Sequence, residues 1–299
     1  MTTAGGRLSA EELQRLNAEV ESALRTRDES RLVVLGAGEI SLVLGWPPAD
    51  PAFACKRLPV FPSHARFDAY RQTFLAYLEA LRERGVDVVE TELIPIEGED
   101  GTVVGYAIQP IFPRENLAPA VLRGQDPAAG HPLVDAVVET ALAVVGPRLG
   151  IDAQLSNWIW EGGRLMYLDV TTPMIWAEDG RPLLDLDLLV RALPAIARGP
   201  VRRFLGPRIL DGYRDRRGVA NDLLGNLIKE RLDPWIPLFL DPVNRSVSPP
   251  ITEEDVRSYY RSDARLWETL LRIRRLDRAW QRHVRRRAYE FLLPPAVRR

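Results

Sequence analysis

Four polar residues of this chain have types and spacings that could do chemistry. Asp152 and Asn157 share one loop, five positions apart. A carboxylate there can orient a hydroxyl and accept its proton, and an amide oxygen can ligate Mg²⁺. Asp169 lies seventeen positions beyond Asp152, at the end of a predicted strand. A carboxylate at a strand end can hold a hard cation between phosphate oxygens. Lys56 ends the apolar run Phe53-Ala54-Cys55-Lys56, where a compact ammonium can neutralise phosphate charge. Upstream, Gly36-Ala37-Gly38-Glu39-Ile40-Ser41-Leu42-Val43 lies between two predicted strands. Gly36, Gly38 and Ser41 keep bulk low, so backbone amides can approach a polyphosphate. Each feature alone also fits a plainer role: a turn, a solvated edge-strand lysine, a loop-stabilising Asp and Asn, an Asp capping a strand exit. The arginine bias weighs on Lys56. Of 40 basic residues only Lys56 and Lys229 are lysine, as expected where a point charge is needed instead of a planar fork.

The elements that must position these groups follow from periodicity. Ser9 and Glu12 form a capping box before Leu13, Leu16, Val20 and Leu24, predicting a helix over 9–27. Strands are expected at Arg31–Leu35, Leu42–Leu44 and Phe53–Leu58. The stripe Phe67, Tyr70, Phe74, Leu78 and Leu81 predicts a helix over 64–84, ended by Gly85. Val86–Pro95 and Val103–Ile111 read as two more strands. Residues 113–132 read as an irregular linker, and 132–146 as a buried apolar helix. Gly150–Asn157 is a loop. Trp158–Trp160 and Arg164–Leu168 flank Glu161-Gly162-Gly163 as a tight hairpin. The rest reads as helical, interrupted by proline-rich loops near 233–250.

The order of these motifs resembles the protein-kinase-like superfamily: a Gly-rich loop at 36–43, a third-strand lysine in F-A-C-K, D-A-Q-L-S-N at 152–157, and D-V-T at 169–171. The likeness spans roughly residues 30–175. It implies an α+β, bilobal fold with a small antiparallel β lobe and a mostly helical C-terminal lobe. The divisions would be a helical extension at 1–29, a small lobe at 30–115 and a helical lobe at 116–299. It also implies ATP and Mg as cofactors, with Lys56 on the inner phosphates, Asn157 and Asp169 on the metal, and Asp152 facing the acceptor. The segment from Gln109 to Phe112 would connect the lobes and meet adenine. Ser41 replaces the third glycine, Gly150-Ile151 replaces His-Arg before Asp152, Val-Thr follows Asp169, and no Ala-Pro-Glu follows. These departures point toward the branch of aminoglycoside phosphotransferases and choline kinases. The acidic partner of Lys56 should lie on the 64–84 helix, where Asp68, Gln72 and Glu79 do not settle the choice. The activity implied is ATP- and Mg-dependent phosphorylation of a small-molecule hydroxyl. The alternatives are a non-catalytic nucleotide- or partner-binding module, and transfer of AMP.

Composition bounds the rest. The chain has 299 residues and a net charge near −1, which excludes a uniformly basic nucleic-acid binder. No apolar run reaches membrane-spanning length, and residues 1–30 are too charged for a signal peptide. One cysteine, Cys55, excludes an internal disulfide framework and suits a cytoplasmic setting. The arginine-dense stretch 272–287 reads as a solvated helix face, with Leu276, Trp280, Val284 and Tyr289 as its packing stripe. Trp158, Trp160 and Trp176 read as packing residues near the site.

Overall fold

The structure, a computed structural model, describes residues 7–37, 42–191, 193, 195–286, 289 and 292. Gly38 and Ser41 of the glycine loop lie outside the described residues.

Helix α1 (Ala10–Thr26) starts on the expected capping box: Ser9 Oγ accepts from the Glu12 amide, and the Glu12 carboxylate accepts from the Ser9 amide. Strands β1 (Val33–Ala37), β2 (Leu42–Trp46), β3 (Phe53–Arg57), β4 (Glu92–Glu97) and β5 (Val103–Pro110) form one antiparallel sheet in the order β1-β2-β3-β5-β4. Alternation along the strands sets its two faces. Leu42, Leu44, Cys55, Val104, Tyr106 and Ile108 pack with Leu13, Leu16 and Val20 of α1. Lys56, one step from Cys55, therefore turns to the opposite face, between Val43 and Ala107 in register.

The expected strand over Val86–Pro95 begins only at Glu92. The residues before it leave the sheet and pair with a hairpin of the helical region, through Val89 N–H to the Tyr167 carbonyl and Tyr167 N–H to the Asp87 carbonyl. Two cores claim this run: Val86 and Val88 join the large one, Val89 a small cluster with Ile159 and Met166.

Helix α2 (His64–Glu83) follows β3 and is covalently part of the sheet region. Its buried stripe of Phe67, Tyr70, Phe74, Tyr77, Leu78 and Leu81 lies in the large core, which joins Leu58, Phe61 and Val103 of the sheet region to the helices that follow. The expected linker 113–132 contains a short helix, α3 (Ala118–Arg123), with Ala118 and Leu122 fully buried. Helix α4 (Leu133–Val144) is apolar around most of its circumference and buried, as predicted. Strands β6 (Trp158–Glu161) and β7 (Arg164–Tyr167) make the predicted hairpin, its Gly162-Gly163 turn at positive φ on both residues, as a type I′ turn requires.

Beyond the hairpin come the short helices α5 (Leu186–Val190), α6 (Ala195–Pro200) and α7 (Gly206–Gly212), then α8 (Arg216–Lys229), α9 (Ile236–Ser246) and α10 (Glu253–His283). Helix α9 occupies part of the region expected to be loop. Pro237 falls in its first turn, where a missing N–H has no helical partner to lose, and Ile236, Phe239 and Val243 bury one face. The expected packing stripe on α10 is also corrected. Leu276, Trp280 and Val284 are 71%, 56% and 56% exposed, and of the four residues only Tyr289 is buried. The architecture is α+β: a five-stranded antiparallel sheet backed by α1, then a mostly helical lobe. No described helix is long and apolar enough to cross a membrane.

Within the sheet lobe, the buried Tyr106 hydroxyl donates to Asn17 Oδ1 at 3.0 Å, fixing α1 against β5. Tyr106→Phe leaves that buried acceptor without its donor. Urea denaturation should show a loss of about 1–2 kcal/mol; an unchanged midpoint would show that this bond does not anchor α1.

Candidate active site

Lys56 leaves the open face of β3 and places its Nζ 3.0 Å from Asp169 Oδ1, a contact between residues 113 positions apart. Both side chains are partly shielded, at 23% and 32% exposure. The backbone just after Asp169 folds back on it: Thr171 donates to the same Oδ1 through its Oγ1 at 3.0 Å and its amide at 3.4 Å. The sequence reading looked for the partner of Lys56 on α2, and the structure corrects this. Asp68 pairs with Arg71, and Glu79 and Gln72 are exposed. Helix α2 supplies tyrosines instead. Tyr70 donates to the Thr171 carbonyl at 2.8 Å, and Tyr77 to the Gly150 carbonyl at 3.1 Å. One helix thus ties down the loop behind Asp169 and the loop before Asp152. Burial pushes both phenols up, so they stay protonated donors.

The loop 150–157 is held from below at almost every residue. Gly150 N–H donates to the Met174 carbonyl and Ile151 N–H to the Tyr213 carbonyl. A Cβ on Gly150 would collide with that Tyr213 carbonyl, which explains a glycine here. The Asp152 carbonyl accepts from both Asn157 Nδ2 and the Tyr167 hydroxyl at 3.1 Å, and Trp158 Nε1 donates to the Ala153 carbonyl. Helix α8 contributes the rest. Asn226 Oδ1 accepts from the Leu155 amide at 2.8 Å, and Asp222 Oδ2 accepts from Gln154 Nε2 at 3.3 Å.

Electrostatics push the two site carboxyls apart. Burial, then the nearby Asp169 charge, drive Asp152 up to about 6, against the Gln154 amide and the Lys229 charge, which pull it down. Burial also opposes the charge on Asp169, yet the Lys56 ammonium and the Thr171 hydrogen bonds hold it below the usual carboxylate range. One carboxylate stays charged, and the other is poised to take a proton near neutrality. The donor set suits a hard cation. Asn157 spends its Nδ2 on the Asp152 carbonyl and leaves Oδ1 without a hydrogen bond, and Asp169 Oδ2 likewise has none among the described residues. No group of three His, Cys, Asp or Glu gathers around a metal position among the described residues. Such a pair suits Mg²⁺, which keeps waters and phosphate oxygens in its shell.

Lys56, Asp152, Asn157 and Asp169 therefore converge, as their spacing implied. Gly36 lies on β1 at a register shift opposite Val43, with open space where a Cβ would stand. Gln109 reaches the site through its neighbours: its Nε2 donates to the Leu168 carbonyl at 2.8 Å and to Thr91 Oγ1 at 2.9 Å, bracing the residue before Asp169. Cys55 is fully buried, and burial pushes its thiol up to about 12. The tryptophans pack: Trp158 against Tyr167, Trp160 against His131, and Trp176 under Arg214. Tyr70, Tyr77, Asp222 and Asn226 were not read from sequence as site residues. The spacing of Asp222, Asn226 and Lys229 along one face of α8, between the apolar residues Val219, Leu223, Leu224 and Leu227, was the available signal.

Sheet order, a third-strand lysine, an inserted helix, an Asp-x4-Asn loop and a hairpin leading to a second aspartate together define a protein-kinase-like fold. By sequence the chain belongs to a family of unknown function, DUF6206, matched over residues 15–278. No curated protein sequence matches it. Among solved structures it is similar to an amicoumacin kinase in complex with AMP-PNP, Ca²⁺ and Ami (12% identity, TM-score 0.31, covering 86% of this chain and 96% of that one). It is also similar to a MAP kinase from Leishmania major (13% identity, TM-score 0.28, covering 87% and 99%).

Because the Asp152 carboxyl is raised on folding, its charged form costs stability above about pH 6, and that cost disappears as pH falls toward the unfolded carboxylate value near 4. Asp152→Asn should therefore stabilise the metal-free protein by roughly 1–3 kcal/mol at pH 8, with the gain shrinking between pH 6 and pH 4. Chemical denaturation at several pH values measures it. A variant less stable than the parent at pH 8 would show that Asp152 is not strained by its charge.

Proposed function

We propose that this protein is an ATP- and Mg-dependent phosphotransferase acting on a hydroxyl of a small molecule. The observation that carries the reading is the contact of Lys56 with Asp169, beside a loop that presents Asp152 and Asn157. The division of labour follows from chemistry. Lys56 offers a point charge to the inner phosphates, and Asn157 Oδ1 and Asp169 Oδ2 would hold Mg²⁺. When bound, the ion would neutralise charge on the phosphate oxygens. Asp152 orients the acceptor hydroxyl and takes its proton as the acceptor oxygen bonds the terminal phosphorus and the bond to ADP breaks. Catalysis is then largely positioning and charge stabilisation.

With lobe boundaries near residues 112–116 and residues 1–29 preceding the small lobe, the nucleotide would lie between sheet and helices. The connection Gln109–Phe112 favours a particular adenine contact. Pro110 and Pro113 have no N–H, and the Ile111 N–H is already given to the Ala52 carbonyl at 3.3 Å. The Phe112 amide, next along the connection, has no backbone partner among the described residues and would be a donor for the adenine ring. Gly36, Gly38 and Ser41 would cover the phosphates. The absence of His-Arg before Asp152 favours a small-molecule kinase of the aminoglycoside phosphotransferase or choline kinase type over a protein kinase.

One observation favours a second reading, a nucleotide-binding module without turnover: α2 carries no carboxylate to Lys56, so the lysine is held by the residue that must also hold the metal. Turnover separates the two. Mg·ATP should be consumed with at least one acceptor from a panel of aminoglycosides, choline-like alcohols, sugars and amino-alcohols. Asp152→Asn should lower that rate by about 10²–10⁴-fold while nucleotide binding persists. Tight nucleotide binding with no turnover across the panel would favour the module.

A further inference from the structure

The end of α10 carries a basic tract that the proposed activity does not use. From Arg272 to Arg286 the chain has seven arginines and a single acid, Asp277, in a protein whose net charge is near −1. Asp277 is occupied by Gln281, one turn on, whose Nε2 donates to it at 3.3 Å. Burial, then the like charges of Arg278 and Arg27, hold the Arg282 guanidinium below its usual range. Positive charge is therefore crowded at this end of the helix.

On the same stretch Leu276, Trp280 and Val284 follow one another at i, i+4 and i+8 and are largely exposed. Ala279 and His283 are exposed between them. Together they make a convex, mostly apolar ridge about 12 Å long. Arg272 stands one turn before the ridge, where it also meets Glu268 at 3.8 Å, and Arg285 and Arg286 follow it; all three are exposed.

The described residues beyond the helix go elsewhere. Arg274, two positions from Leu276, lies on the opposite side of α10 and is buried, and the buried Tyr289 lies beside it. Leu292 packs on the cluster of α1 and the sheet. A second copy laid ridge to ridge would bring two arginine tracts together, which like-charge repulsion opposes. The ridge instead fits a surface that is apolar beneath and anionic above. An acidic bilayer is graded in that way. Leucine and valine enter the boundary of headgroups and acyl chains, tryptophan suits that boundary, and arginine stems lie along it with their guanidiniums at the lipid phosphates. The remainder of the chain carries the compensating acid, so the same bilayer repels it and turns this end of α10 toward the surface.

We propose that the C-terminal half of α10 is a docking surface for an anionic lipid membrane, on which the helix lies flat with Leu276, Trp280 and Val284 inserted. The inference is independent of the phosphotransferase reading.

Sedimentation of the full chain with vesicles tests this, using phosphatidylcholine alone and equal parts of phosphatidylcholine and phosphatidylglycerol. The parent should partition to the anionic vesicles about tenfold or more above the neutral ones, and high salt should reduce that advantage. Leu276→Ser with Trp280→Ser should weaken anionic-vesicle binding about tenfold with the charge unchanged. Arg285→Gln with Arg286→Gln should weaken it about tenfold with the ridge intact. All four side chains are exposed, so both variants should keep the parent's thermal midpoint, and either pair alone still tests the surface. A parent that ignores anionic vesicles, or binding that the serine pair leaves unchanged, would overturn the proposal. A dimer in light scattering that the serine pair returns to monomer would assign the ridge to a second copy and overturn it as well.

Discussion

The ion pair of Lys56 with Asp169 is the constraint around which the site is arranged. It joins a β3 side chain of the sheet to the loop leaving the β6–β7 hairpin, across 113 residues of sequence. Lys56 reaches it only because Cys55 is drawn into the α1 core and alternation turns the next residue outward. Asp169 reaches it only because the hairpin delivers the strand end, while Thr171 and Tyr70 hold the following turn. The pair is half-shielded, so removing either partner would leave the other charged with poor solvation. Phosphates arriving at Lys56 would compete for its charge, and a cation at Asp169 would replace the charge it loses.

This arrangement changes what α2 has to do. The helix makes no ion pair to Lys56. It reaches both site loops through Tyr70 and Tyr77, and its buried face lies in the large core shared by the sheet region and the helices. The carboxylate-bearing loops are therefore braced by neutral donors in a buried setting, where further negative charge would raise Asp152 still more. Beneath the loop, Asp222 is itself raised well above the usual carboxylate range by burial and by Asp152. The 150–157 loop rests on a stack of acids and amides that has Lys229 at its outer edge.

Much of this was legible in the sequence because the signals are local. The Ser9–Glu12 capping box, the Gly162-Gly163 turn and the two-residue alternation around Cys55 each depend on neighbours within a few positions. Asp152, Asn157 and Asp169 were brought together by the resemblance of their order and spacing to the kinase-like plan, since each alone fits a plainer role. What failed was set by distant contacts. The partner of Lys56 was sought on the nearest helix, whereas the closing carboxylate comes from another lobe. Residues 86–91 read as strand from their valines, but two different cores compete for those side chains. Helix α9 was hidden by Pro237 and Pro242, which read as loop signals although burial of Ile236, Phe239 and Val243 supports the helix. Tyr70 read as a packing residue and Tyr77 was not singled out, and only the structure shows their hydroxyls on the site loops. Leu276 and Trp280 on α10, and Val284 just beyond it, have helical spacing, yet among the described residues they stay largely exposed.

The central claim is that Lys56, Asn157 and Asp169 form a site for a metal-bound nucleotide. The most direct measurement is calorimetric titration of AMP-PNP into the parent protein and into Asp169→Ala, each with and without Mg²⁺. The account predicts Mg²⁺-dependent binding by the parent, and loss of that dependence in the variant. Binding indifferent to both Mg²⁺ and Asp169 would contradict it.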